Sequence, residues 1–164
     1  AAATGSGYGT AILAAFRSLN ILYPMEKTRM QKLLRGSDAD SFVRAAARFA
    51  LGERKPALAE MDRLLRPHDN AKWTVVTFLP FLWRPETEIF LKPEVTKDFA
   101  SRVGHRFEHD YEPALTIDVY DCLLDLGDQI RLNFQDLKPR DQIDVQSVIW
   151  TVGGYIEGRD FPQP

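Results

Sequence analysis

The chain holds one cysteine, Cys122, three histidines, and no apolar run approaching the roughly 18 to 20 residues of a membrane span. A single thiol excludes an intramolecular disulfide and a thiol-based zinc cluster, and it points to a reducing, cytoplasmic setting. The opening "AAATGSGYGT" has neither the basic region nor the apolar stretch of a secretory signal. It also lacks an initiator methionine, so the chain reads as a processed or excised piece of a longer protein. No Gly-Lys-Ser or Gly-Lys-Thr occurs, and the glycine-rich "TGSGYGT" at 4–10 follows no strand; a phosphate cradle would lack its first component. No Gly-x-Ser-x-Gly elbow occurs, and Cys122 sits among apolar neighbours, so nucleophilic catalysis has no clear carrier. The formal net charge of -2 gives no global pull toward a polyanion.

What is present is enough for one core. With 164 residues, 45% of them apolar, the chain reads as a single helical domain over 10–155, between a flexible tail or linker at 1–9 and a C-terminal tail at 156–164. Ile12, Leu13, Phe16 and Leu19 fall at helical spacing. Pro24 suits the first turn of a second helix carrying Met25, Met30, Leu33 and Leu34 and stopped by Gly36. Ser37 is placed to cap a third helix with Asp38 and Asp40 in its first turn, and a fourth runs from about Pro56 to Arg66. "KWTVVTFLPFLWRP" fits a buried helix interrupted near Pro80 slightly better than a strand. "TEIFLKP" reads as extended, "EVTKDFASRVG" as a helix ended by Gly104, and "HRFEHDYEP" as a half-buried strand because Phe107, His109 and Tyr111 alternate with charge. Residues 116–137 form the longest helical candidate, with Gly127 marking a kink or a close helix approach. The expected fold is therefore mostly α, a multi-helix bundle with a minor two-stranded extended element.

Four constellations could carry chemistry. Residues 1–70 hold 11 Lys and Arg against 7 Asp and Glu, and the remainder 10 against 16. Arg29, Lys32, Arg44, Arg48, Arg63 and Arg66 could line a phosphate-contacting surface, although such residues also decorate the outer face of any bundle. Asp118, Asp121, Asp125 and Asp128 form a helical stripe that could hold a divalent cation with help from another element; a solvated face explains them as well. His105 and His109 share a metal only if helical, and the alternation there favours extended backbone, so no metal site or cofactor is assigned. "PRDQIDVQSVIWTVGGY" at 139–155 reads as a well-begun helix, with Pro139 in its first turn or Asp141 as cap and with Trp150 as core anchor, or as a binding surface made by Arg140, Asp141 and Gln146.

The ordered segments "ILYPMEK", "WTVVTFLPFL", "IFLKPEVTKDFA" and "PRDQIDVQSVIW" resemble a family of uncharacterised bacterial proteins across residues 21–150. Thr74 stands where that family usually has proline, Glu88 where histidine is common, and Val148 where phenylalanine is common. The resemblance implies one domain and brings no activity. The expected function is a non-catalytic interaction or regulatory module of a bacterial cytoplasmic protein, with a protein partner met by Lys92, Arg140, Asp141 and Gln146. A nucleic-acid-binding accessory domain using the basic helices of 29–66 is the alternative, and a metal-dependent enzyme using the aspartate stripe ranks third.

Overall fold

A computed structural model describes residues 1–154. The C-terminal tail expected at 156–164 lies outside the described residues. Nine α-helices follow one another among the described residues: α1 (Gly9–Ser18), α2 (Pro24–Leu34), α3 (Ala39–Ala50), α4 (Arg54–Leu65), α5 (Trp73–Trp83), α6 (Pro93–Val103), α7 (Phe107–Asp110), α8 (Ile117–Asn133) and α9 (Gln142–Gly153). Among the described residues no helix is long and apolar enough to cross a membrane.

The chain folds around α5. Every residue from Trp73 to Phe81 is buried, which a helix tolerates only when neighbours cover it on all sides. α3 packs on α5 and α4 on α3, while α1 lies on α2; α6, α7, α8 and α9 close the other side through α6–α9, α6–α7, α7–α8 and α8–α9 contacts. Phe16 meets Phe78 at 4.5 Å between ring centroids, and Phe49 meets the edge of Tyr120 at 4.9 Å. Fully burying one such side chain contributes about 1.5 to 3 kcal/mol. Pro80 lies inside α5, where its ring removes the N–H that would bond the Val76 carbonyl.

Two glycines permit close approaches. A Cβ on Gly153 would stand 2.3 Å from the Val95 carbonyl oxygen, so α9 reaches α6 only without a side chain there. Gly127 is the close approach its position in the pattern anticipates: a Cβ there would come within 3.2 Å of Gln142 Oε1 at the start of α9.

The expected two-stranded element is absent among the described residues. "HRFEHDYEP" instead contains the one-turn helix α7, with the Asp110 N–H bonded to the Arg106 carbonyl and the Tyr111 N–H to the Phe107 carbonyl. Phe107 and Tyr111 imitate strand alternation because a spacing of four also satisfies a helix, and their rings pack at 5.8 Å. His109, 80% exposed on its side chain, is the residue that breaks the alternation. "TEIFL" is irregular and buried from Glu88 to Leu91 without a partner strand. Side chains take the place of a sheet ladder: the Ile89 N–H donates to the Tyr120 hydroxyl at 3.2 Å, and the Leu91 N–H to Thr77 Oγ1 at 3.0 Å.

Smaller corrections concern helix starts and faces. Asp38, not Ser37, holds the position before α3, and it makes no side-chain cap. Asp40 accepts the Gly7 N–H at 2.8 Å, which fastens the lead-in to α3 together with the Arg44 bond to the Gly5 carbonyl. Met25, placed by periodicity among the apolar contacts of α2, is 60% exposed beside the half-exposed Tyr23.

Candidate functional site

Three helices begin around one cavity. Tyr23, Lys72 and Lys92 occupy the positions before α2, α5 and α6, and prolines at the first turns of α2 and α6 fix where those helices start. The cavity, about 330 Å3, is lined by Tyr23, Glu26, Trp73, Thr74, Pro93 and Tyr111 together with Ala71, Lys72, Glu94 and Pro113. Beside it the Lys92 ammonium stands 5.2 Å from the Tyr23 ring centroid and 5.9 Å from that of Trp150 on α9. Trp150 is half-buried with its ring edge-on to Phe90. "ILYPMEK", "WTVVT", "FLKP" and the end of "PRDQIDVQSVIW" thus meet on one surface, although they are spread over more than a hundred residues of chain.

Glu26 gives this groove its charge. The residue is only 8% exposed, yet it lines the cavity. Its Oε2 accepts the Tyr23 N–H at 2.9 Å, the reach-back bond of a capping box, and its Oε1 accepts the Thr74 hydroxyl at 2.6 Å. Asn70 supports the same turn by donating to the Glu26 carbonyl at 3.1 Å. No Lys, Arg or His among the described residues forms an ion pair with this carboxylate; the neighbouring Glu94, in contrast, pairs with Lys97 at 2.9 Å. Lys97 in turn stands 5.1 Å from the Tyr111 ring. Each Glu26 oxygen uses one hydrogen bond and retains capacity for another.

A second buried glutamate lies elsewhere and is neutralised. Glu88, 1% exposed, receives two hydrogen bonds from Arg54, at 3.1 Å from Nε and 2.6 Å from a terminal nitrogen, and a third from the Tyr120 hydroxyl at 2.8 Å. The Glu88 hydrogen bond raises the Arg54 pKa. Burial pushes the Tyr120 phenol well above its ordinary value, and the adjacent Glu88 charge pushes it further. Sequence reasoning missed this junction. A carboxylate set directly before "IFL" signals a need for a cation, but nothing in the sequence identifies Arg54 as the one.

The residues singled out from sequence scatter. Arg29 pairs with Asp69 at 2.7 Å, Arg66 with Asp62 at 2.7 Å, Arg48 with Glu60, and Arg44 donates to the Gly5 carbonyl. Lys32 and Arg63 are exposed and enter no ion pair among the described residues. Asp141 caps α9 by accepting the Ile143 and Asp144 N–H groups at 2.9 and 3.1 Å. Arg140 pairs with Asp144 at 3.1 Å, and its guanidinium and backbone N–H hold the Asp144 carboxyl below its ordinary range. Gln146 is buried; its Nε2 donates to the Phe90 carbonyl at 2.7 Å and its Oε1 accepts the Trp150 indole N–H at 2.6 Å, an orientation set by those partners. Lys92 alone of the expected partner-binding set stands beside the groove, over Tyr23.

The aspartate stripe stays open. Asp118, Asp121 and Asp128 are exposed, and Asp125 turns to His105 Nε2 at 3.0 Å. His105 Nδ1 accepts the Phe107 N–H, so the ring carries its proton on Nε2 when neutral. Among the described residues no three His, Cys, Asp or Glu side chains converge to hold a metal ion. Comparison of the chain with known family models, with curated proteins and with solved structures finds no match.

Proposed function

We propose that this domain is a non-catalytic binding module that takes a peptide segment of a protein partner in the groove between Tyr23, Trp73, Pro93 and Tyr111. The observation that carries this reading is the meeting of three motif segments at Tyr23, Lys92 and Trp150, beside a cavity that Trp73 and Thr74 of the fourth help to line. Helix starts, fixed by Pro24 and Pro93, hold those side chains on rigid elements, which suits recognition that must be pre-organised. The groove also combines what peptide sites use: aromatic and proline walls with a few placed polar groups. Two of its neighbours, Tyr23 and Met25, are large apolar residues at 52% and 60% exposure. The resemblance to the uncharacterised bacterial family adds the ordered motifs and no chemistry.

The nucleic-acid alternative draws less support, since four of the six cations it needs are held by carboxylates or a carbonyl of the same chain. A displayed library of random peptides tests the preferred reading. Selected peptides should bind the wild type and lose binding to Tyr23→Ala, while Arg63→Ala leaves it unchanged. Peptides that bind Tyr23→Ala as well as the wild type would place recognition elsewhere.

A further inference from the structure

Burying a carboxylate is costly unless hydrogen bonds and a positive charge replace the water it loses. The Glu26 carboxylate has the hydrogen bonds, from the Tyr23 N–H and the Thr74 hydroxyl, and the α2 N-terminus supplies a partial positive charge. What it lacks, among the described residues, is a cation. The chain has three lysines nearby and uses none of them for this purpose: Lys92 stands over Tyr23 and Trp150, Lys97 pairs with Glu94, and Lys72 makes no ion pair with Glu26. Glu26 also lines the 330 Å3 cavity, whose walls include Tyr23, Trp73, Tyr111 and two prolines. Aromatic walls around an uncompensated carboxylate form the chemical complement of an alkylammonium or guanidinium group.

We propose that the groove takes a lysine or arginine side chain of its ligand, with the cationic head on the Glu26 carboxylate and the methylene stem against Tyr23, Trp73 and Pro93. This rests on the binding-module reading for the source of the cation, though not for the chemistry of the pocket. The head donates to the acceptor capacity that Tyr23 and Thr74 leave unused on the two Glu26 oxygens. Lys72, exposed on the cavity wall, repels the same charge and sets a limit on affinity.

The test uses the whole chain and four small probes: N-acetyl-lysine methylamide, N-acetyl-arginine methylamide, the neutral N-acetyl-norleucine methylamide, and butylammonium, each at ionic strength matched with NaCl. Amide shifts of Tyr23, Thr74 and Trp73 in NMR titrations give the affinities. The lysine and arginine derivatives should give saturable shifts and the norleucine derivative none. Glu26→Gln keeps the capping box, which accepts glutamine, and should weaken binding about tenfold or more, the loss of one charge-assisted contact. Lys72→Gln, at an exposed position, should tighten it severalfold. Norleucine binding as well as lysine, or affinity unchanged in Glu26→Gln, overturns the cation site while leaving a peptide groove intact. Absence of a saturable shift with every cation overturns it as well. Binding of butylammonium but of neither amino-acid derivative upholds the cation site and overturns the peptide-binding reading.

Discussion

Glu26 and Glu88 are both more than nine-tenths buried, both accept a hydroxyl hydrogen bond, and both serve a backbone N–H, Glu26 directly and Glu88 through Tyr120. They differ in two respects. Glu88 has Arg54 bound through two nitrogens, and its surroundings are closed by Ile89, Phe90 and Tyr120. Glu26 has no cation among the described residues, and it lines a cavity. The comparison separates two uses of a buried charge: the first locks an irregular segment in place of a sheet ladder, and the second leaves an electrostatic demand that a ligand can meet.

The largest effect should come from breaking the closed pair. Arg54→Ala leaves Glu88 buried and unpaired, and should cost roughly 3 kcal/mol, the low end for such a loss because Arg54 is partly exposed. Chemical denaturation measures it. Replacing both partners, Arg54→Met with Glu88→Leu, should cost less than Arg54→Ala alone; an equal or larger cost would show that packing rather than charge dominates there.

Tyr120→Phe comes next, at about 1 to 3 kcal/mol, since it removes a donor to Glu88 and the acceptor of the Ile89 N–H. A pH series sharpens the result. The folded pKa of Tyr120 is raised, so its contribution is fully present below the unfolded value of about 10 and is lost as pH climbs through the higher folded value. The wild type should therefore lose stability above about pH 10 more steeply than Tyr120→Phe. Parallel curves would remove Tyr120 from the alkaline transition.

Asp141→Ala should cost about 1 kcal/mol through loss of the α9 cap. Because α9 carries Trp150 to within 5.9 Å of the Lys92 ammonium beside the groove, an effect on ligand affinity without any change in melting would instead assign Asp141 to binding. The smallest expected change is in Glu26→Gln, whose melting should stay within about 0.5 kcal/mol of the wild type, since glutamine preserves the capping bond and no internal ion pair is lost. A large destabilisation there would make Glu26 a second Glu88 and dissolve the contrast between the two sites.

The helices were legible because their signals are local. Pro24 at a first turn, Gly36 after α2, Gly104 with a φ of 68° after α6, and Asp141 before α9 act within a few residues of chain, and apolar spacing placed Phe16, Met30, Leu33 and Ile149 inward. α7 was not, because Phe107 and Tyr111 satisfy both periods over so short a span. The motif segments could be quoted from the sequence but not joined.

By itself the sequence determined that this chain is mostly helical, that the segment around 73–81 is buried, and that a helix begins near 139–141, all consequences of neighbours within one or two turns. Tertiary structure alone decided that Lys92 stands between Tyr23 and Trp150, that Arg54 rather than another cation neutralises Glu88, and that Glu26 has none among the described residues. Those outcomes depend on which groups lie within a few ångströms after folding, where burial makes a charge costly and a single well-placed partner offsets that cost. Separation along the chain carries no such information.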